Sequence, residues 1–208
     1  MTQSDVRLER RGTALVLIEF QREWLSDTGK LNGLVEDRTQ LAEALEGASR
    51  ALNAARRAGL AVLHAGLRFE AGHPELGKGG SGLRGAIPRV GTFIGAAADF
   101  VPPFVPKPGE LVVSGRTGAS AFAGSNLDAL LRNLRIETVL LAGFALHVCV
   151  ESTMRQAHDL SYRAVLIEDA CAAFTGAQRD HVLYDVVHHF GHVLRSDALD
   201  RLAQKVAA

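Results

Sequence analysis

The chain has 208 residues, 47% of them hydrophobic and 22% charged, with 23 basic residues balancing 23 acidic ones. These proportions belong to globular domains and exclude disordered or collagen-like chains. The balanced charge excludes the global positive field of a nucleic-acid or anionic-membrane binder. Two cysteines are too few for a disulfide framework. No apolar run approaches the roughly 20 residues of a membrane-spanning helix, and the opening MTQSDVRLER lacks the apolar stretch of a signal peptide. The expectation is a cytoplasmic protein forming a single domain over residues 1–208, large enough to bury about 70% of its unfolded surface.

Ala14-Leu15-Val16-Leu17-Ile18 is a continuous apolar run, the habit of a strand buried on both faces in a parallel sheet. The period then changes: Leu41, Leu45, Ala48, Leu52 and Ala55 share one stripe of a helix spanning 36–58, and Gly59 stands where it would stop. Residues 60–63 read as the next strand. Residues 66–110 hold ten glycines and all six prolines. That stretch is expected to be mostly loop with a few short helical turns, serving as a lid or an oligomer contact. The glycine-rich Lys78–Gly82 does not fit a phosphate-binding P-loop and reads as flexible loop. Beyond it come a strand at 111–113, a helix at 126–134 capped by Ser125 with Asp128 three residues on, and a strand at 138–142. A helix at 149–160, a strand at 164–167 and a helix over 182–190 stopped by Gly191 follow. An edge strand at 192–194 and a closing helix capped by Ser196 end the chain. Alternating strands and helices predict a three-layer α/β/α fold on a six-stranded, mostly parallel sheet.

Ligands bind beyond the carboxyl ends of strands in such sheets. Glu19 ends the first strand, Arg116 follows the 111–113 strand, and Cys149 follows the 138–142 strand and opens a helix. An acid, a fixed cation and a thiol could thus meet at one edge. A helix start and a guanidinium both favour a thiolate, and a carboxylate can take its proton. Position alone is equally compatible with a buried structural cysteine beside a Glu–Arg ion pair.

Gly143 to Thr153 (GFALHVCVEST) resembles the nucleophile motif of the isochorismatase-like cysteine hydrolases. Ala14–Trp24 (ALVLIEFQREW) is similar to that family's first strand and acidic residue, and Arg116–Leu127 (RTGASAFAGSNL) to its basic segment. Asp169–Ala173 (DACAA) resembles the turn after its fifth strand. The likeness spans nearly the whole chain outside 66–110. It implies a Rossmann-like fold and cleavage of an amide-type C–N bond in a small molecule through a thioester. No cofactor is implied, and the assembly would be a homodimer or homotetramer. By resemblance Cys149 is the nucleophile, Glu19 the proton carrier, and the backbone N–H groups of Ala145 and Cys149 the oxyanion hole, shaped in relatives by a cis peptide, here Phe144–Ala145. Two departures stand out: Glu19 where the family usually has Asp, and Arg116 where it usually has Lys. Arg116 can stabilise an anion but cannot shuttle a proton. Trp24, Phe122 and His147 are substrate-wall candidates by proximity. Cys171 reads as a structural thiol.

Some amidases of the family hold a metal in an Asp-x-His…His set after the second strand. This chain offers His64, Arg68 and His73 there without the Asp-x-His, and Gly191 separates His188 and His189 from His192, so no metal is expected. Two other readings remain: a vinyl ether hydrolase of the isochorismatase type, which needs an acid and no thiol, and a catalytically silent binder.

Overall fold

All six residues of β1 (Thr13–Ile18) are buried in the computed structural model, which describes residues 8–207. The strand lies between two parallel partners. β2 (Ala61–Ala65) pairs Val62 with Leu15, and β4 (Thr138–Gly143) pairs Leu140 with the same residue. With β3 (Leu111–Val112), β5 (Arg163–Cys171) and β6 (His192–Leu194) the sheet has the order β3-β2-β1-β4-β5-β6, parallel throughout. Winding therefore reverses between β1 and β4. Their carboxyl ends flank the crevice that this topology leaves open.

Helices cover both faces. Leu15, Leu17, Leu140, Val165 and Ile167 meet α2 (Arg38–Ala58) and α8 (Asp197–Ala207). Val16, Ile18, Leu141 and Leu166 meet α4 (Leu127–Asn133) and α5 (Glu151–Asp159) on the other side. Asp37 caps α2 by accepting from the Gln40 N–H, and Gly59 ends it at φ 66°. Both fulfil the expected 36–58 helix. Gly47 lets α2 lie directly on the β5 backbone, because a Cβ there would stand 1.8 Å from the Asp169 carbonyl oxygen. Among the described residues no helix is long and apolar enough to cross a membrane.

Several expectations need adjusting. The 66–110 stretch contains a nine-residue helix, α3 (Gly82–Val90), with Pro88 inside it and none of its residues buried. Within its apolar 96–106 portion Ala98 and Phe104 turn inward, each 1% exposed, while Ala96, Pro102, Pro103 and Val105 stay exposed. α4 has Asn126 at its cap, and Ser125 Oγ accepts from the Leu127 N–H one residue off the expected place, while Asp128 takes the Tyr162 hydroxyl. The segment expected as a turn, Asp169–Cys171, stays in β5, with Gly143 paired to Cys171 across an irregularity. The helix expected at 182–190 starts earlier, as α6 (Gly176–Asp180) under a Thr175–Gln178 capping box. It widens over His181–Val186 and ends as α7 (Val187–Phe190). Ser196 precedes α8, but its hydroxyl donates to Asp169 Oδ2.

Candidate active site

Glu19 sits one residue past β1 with φ 61°, a sharp turn fixed by its N–H donating to the Ala65 carbonyl at 3.2 Å. The turn continues through Gln21, whose buried amide donates to the Leu67 and Ala98 carbonyls and accepts from the Leu67 N–H. A short helix, α1 (Arg22–Leu25), then carries Trp24 back over the strand end. The Glu19 carboxylate is gripped on both oxygens: Arg116 donates to Oε1 at 2.7 Å and the Trp24 indole N–H to Oε2 at 2.8 Å.

Arg116 arrives from the loop after β3. Its guanidinium also donates to the Gly118, Ala65 and Ala119 carbonyls, so Ala65 oxygen serves both the Glu19 backbone and the Arg116 side chain. Both ends of the ion pair are 1% exposed. A buried pair is held by such additional hydrogen bonds, and losing one partner leaves an uncompensated charge.

Cys149 lies in a wide turn, Leu146–Val150, between β4 and α5. Gly143 makes the exit from β4 possible: at φ 138° a Cβ there would meet the Ile18 carbonyl at 2.0 Å. Burial pushes the Cys149 thiol well above its ordinary range, the Glu19 carboxylate pushes it further, and the Arg116 guanidinium opposes both. The three residues are thus brought into electrostatic contact. Cys171 is also driven up, to about 12, by its burial, and it sits on β5 donating weakly to the Leu141 carbonyl.

The peptide Phe144–Ala145 is cis. Around it, the Ala145 carbonyl accepts from the N–H groups of Val148, Cys149 and Val150, at 3.0 Å from Cys149. The Cys149 N–H therefore already has an internal acceptor, whereas no described residue accepts from the Ala145 N–H. The expected wall residues separate. Trp24 is 5% exposed and stacks between Phe144 and Phe174 with its N–H on Glu19. Phe122 shares the hydrophobic cluster of Cys149 and stacks on Tyr162. His147 stands edge-on to Phe174 at 4.5 Å, half-buried, with Nδ1 unpaired and its pKa lowered by burial against the opposing pull of Glu151.

Two contributors escaped sequence reading. Thr153 Oγ1 donates to the Cys149 carbonyl at 2.6 Å and accepts from the Ala121 N–H at 2.8 Å, tying the thiol's turn to the segment that carries Arg116. The four-residue spacing of a helical threonine from its acceptor is the signal that could have found it. Phe174 had none. Away from the site, His64 Nε2 lies 2.9 Å from Glu110, which Arg56 also holds. Among the described residues no group of three or more His, Cys, Asp or Glu side chains is arranged to hold a metal ion.

The isochorismatase domain family matches residues 13–198. The chain belongs to the isochorismatase family. It is 30% identical over 204 residues to the ureidoacrylate amidohydrolase RutB of Variovorax paradoxus, covering 91% of this chain and 81% of that protein. Among solved structures it resembles a cysteine hydrolase from Pseudomonas syringae pv. phaseolicola, with a TM-score of 0.76 at 21% identity, covering 99% of this chain and 100% of that one. It also resembles N-carbamoylsarcosine amidase from Thermoplasma acidophilum, with a TM-score of 0.66 at 25% identity, covering 89% and 96% of the two chains.

Proposed function

We propose that the protein is a cofactor-free cysteine hydrolase that cleaves the amide-type C–N bond of a small molecule through a thioester. The observation that carries this reading is the solvent-excluded Glu19–Arg116 pair acting on the Cys149 thiol from opposite electrostatic directions. Glu19 takes the sulfur proton as Sγ bonds to the substrate carbonyl carbon. The Ala145 N–H, and the Cys149 N–H once it leaves its internal acceptor, hold the oxyanion. Collapse breaks the C–N bond, and Glu19 returns its proton to the departing nitrogen. Water, deprotonated by Glu19, then cleaves the thioester, releasing the acid and restoring the thiol. Arg116 carries no proton and fixes the position and charge of Glu19. In this reading Phe122, which shares the hydrophobic cluster of Cys149, and His147, two residues before it in the chain, are the substrate contacts.

The relatives named for ureidoacrylate and N-carbamoylsarcosine share an N-carbamoyl group, so N-carbamoyl compounds and simple amides form the test panel. Ammonia release should be lost in Cys149→Ala and in Cys149→Ser, and should be close to wild type in Cys171→Ser. Equal loss from changes at both cysteines would overturn the assignment.

A further inference from the structure

We propose that Trp24 is a positioning residue for the proton carrier, not a wall of the substrate pocket; the inference rests on Glu19 having that role. A glutamate side chain has one more rotatable bond than an aspartate, and one anchor leaves its carboxylate free to turn about the Arg116 contact. The second anchor is the indole. Its N–H reaches Glu19 Oε2 at 2.8 Å while Arg116 holds Oε1 at 2.7 Å. Each oxygen then keeps a lone pair for the sulfur proton.

The indole itself cannot move far. Its ring lies 6.3 Å from Phe144 and 6.0 Å from Phe174, and the Asn32 amide holds the Trp24 carbonyl at 2.8 Å. The adjacent Glu23, also buried, accepts from the backbone N–H groups of Lys30 and Phe93, fastening α1 to two loops. A tryptophan that only packed would need some partner for a buried N–H. Here the partner is the carboxylate facing the thiol. The indole therefore holds Glu19 in place from the oxygen that Arg116 does not reach.

The chain has one tryptophan, so its indole N–H gives a single NMR cross-peak that needs no substrate. Glu19→Gln should move that peak, and Cys171→Ser should not. Trp24→Phe keeps an aromatic ring and loses the donor. On the N-carbamoyl panel it should lower kcat about tenfold or more with KM changed less than about twofold, and move the acid limb of the pH–rate profile upward. Replacing the tryptophan biosynthetically with 5-fluorotryptophan, a stronger N–H donor, avoids any folding defect of the phenylalanine variant and should move the same limb downward. An indole peak indifferent to Glu19→Gln, an unmoved acid limb, or a rise in KM with kcat preserved would each overturn the proposal. The spectroscopic arm is independent of turnover. A Cys149→Ala enzyme that still released ammonia would sink the hydrolase reading while leaving the indole result legible.

Discussion

Arg116 and Glu19 pull the Cys149 thiol in opposite directions, so their removal should move its reactivity in opposite directions. Burial is the largest influence and stays in place in both variants. Arg116→Ala removes the cation that favours the thiolate, so the pH profile of iodoacetamide alkylation at Cys149 should shift to higher pH. Glu19→Gln removes the anion that disfavours it and frees the guanidinium, so the profile should shift lower, while turnover falls about 100-fold or more for want of a proton carrier. Arg116→Lys keeps the charge but cannot reproduce the fork that reaches Glu19 and three carbonyls at once, and should lose activity partially. Profiles that do not separate would show that the pair does not face the sulfur. Position after the strands made these three residues candidates without separating them from a structural cysteine beside an ion pair, and the family motif carried the assignment. The contacts of Trp24 and Thr153 were not legible, since hydrogen bonds to a carboxylate and to a backbone carbonyl leave no periodic trace.

Packing decides at the level of elements. Helix propensity predicts that Gly47→Ala stabilises α2 by up to about 1 kcal/mol. The close approach to Asp169 predicts the reverse, because the new Cβ would collide with backbone. Overpacking of this kind costs about 1–3 kcal/mol or more, and the urea midpoint should fall. The His64–Glu110–Arg56 cluster ties β2 and α2 to the loop before β3. Burial alone would raise the Glu110 carboxyl, but Arg56, the Lys107 N–H and His64 outweigh it and hold it at about 2. A depressed folded value means stability that is complete above the usual 4.5 and is lost as pH falls toward 2. His64, lowered by burial, adds loss of the same sign from nearer neutrality. Urea titrations of wild type should lose stability across that acid range, and Glu110→Gln should flatten the dependence. Strands such as Ala14–Ile18 and the α2 stripe were readable because their burial follows a simple period. α6 was missed although Thr175 and Gln178 spell a capping box, because its residues are not buried and give no apolar stripe. α3 was hidden by Pro88 and its flanking glycines.

Across the whole molecule, the alternation of elements implied a six-stranded parallel sheet covered on both faces, whereas the strand order, and with it the crevice between β1 and β4, depends on long-range pairing that leaves no local pattern. Assembly was not legible. Of the apolar side chains of 96–106, Ala98 and Phe104 are spent inside the subunit, and Ala96, Pro102, Pro103 and Val105 remain outward beside an open groove lined by Leu25, Leu45, Val101 and Pro103. A homodimer or homotetramer is still the expectation. Light scattering at micromolar concentration should report at least twice the subunit mass, and a monomer would count against it. The burial of the Glu19–Arg116 pair reaches further than the chemistry it supports. With each partner 1% exposed, dissolved ions have no approach to either charge, and screening acts only where they can come between. Turnover of an uncharged amide should therefore stay nearly level from about 0.01 to about 1 M sodium chloride, a tolerance of brine that surface ion pairs such as Arg57–Asp200 cannot share.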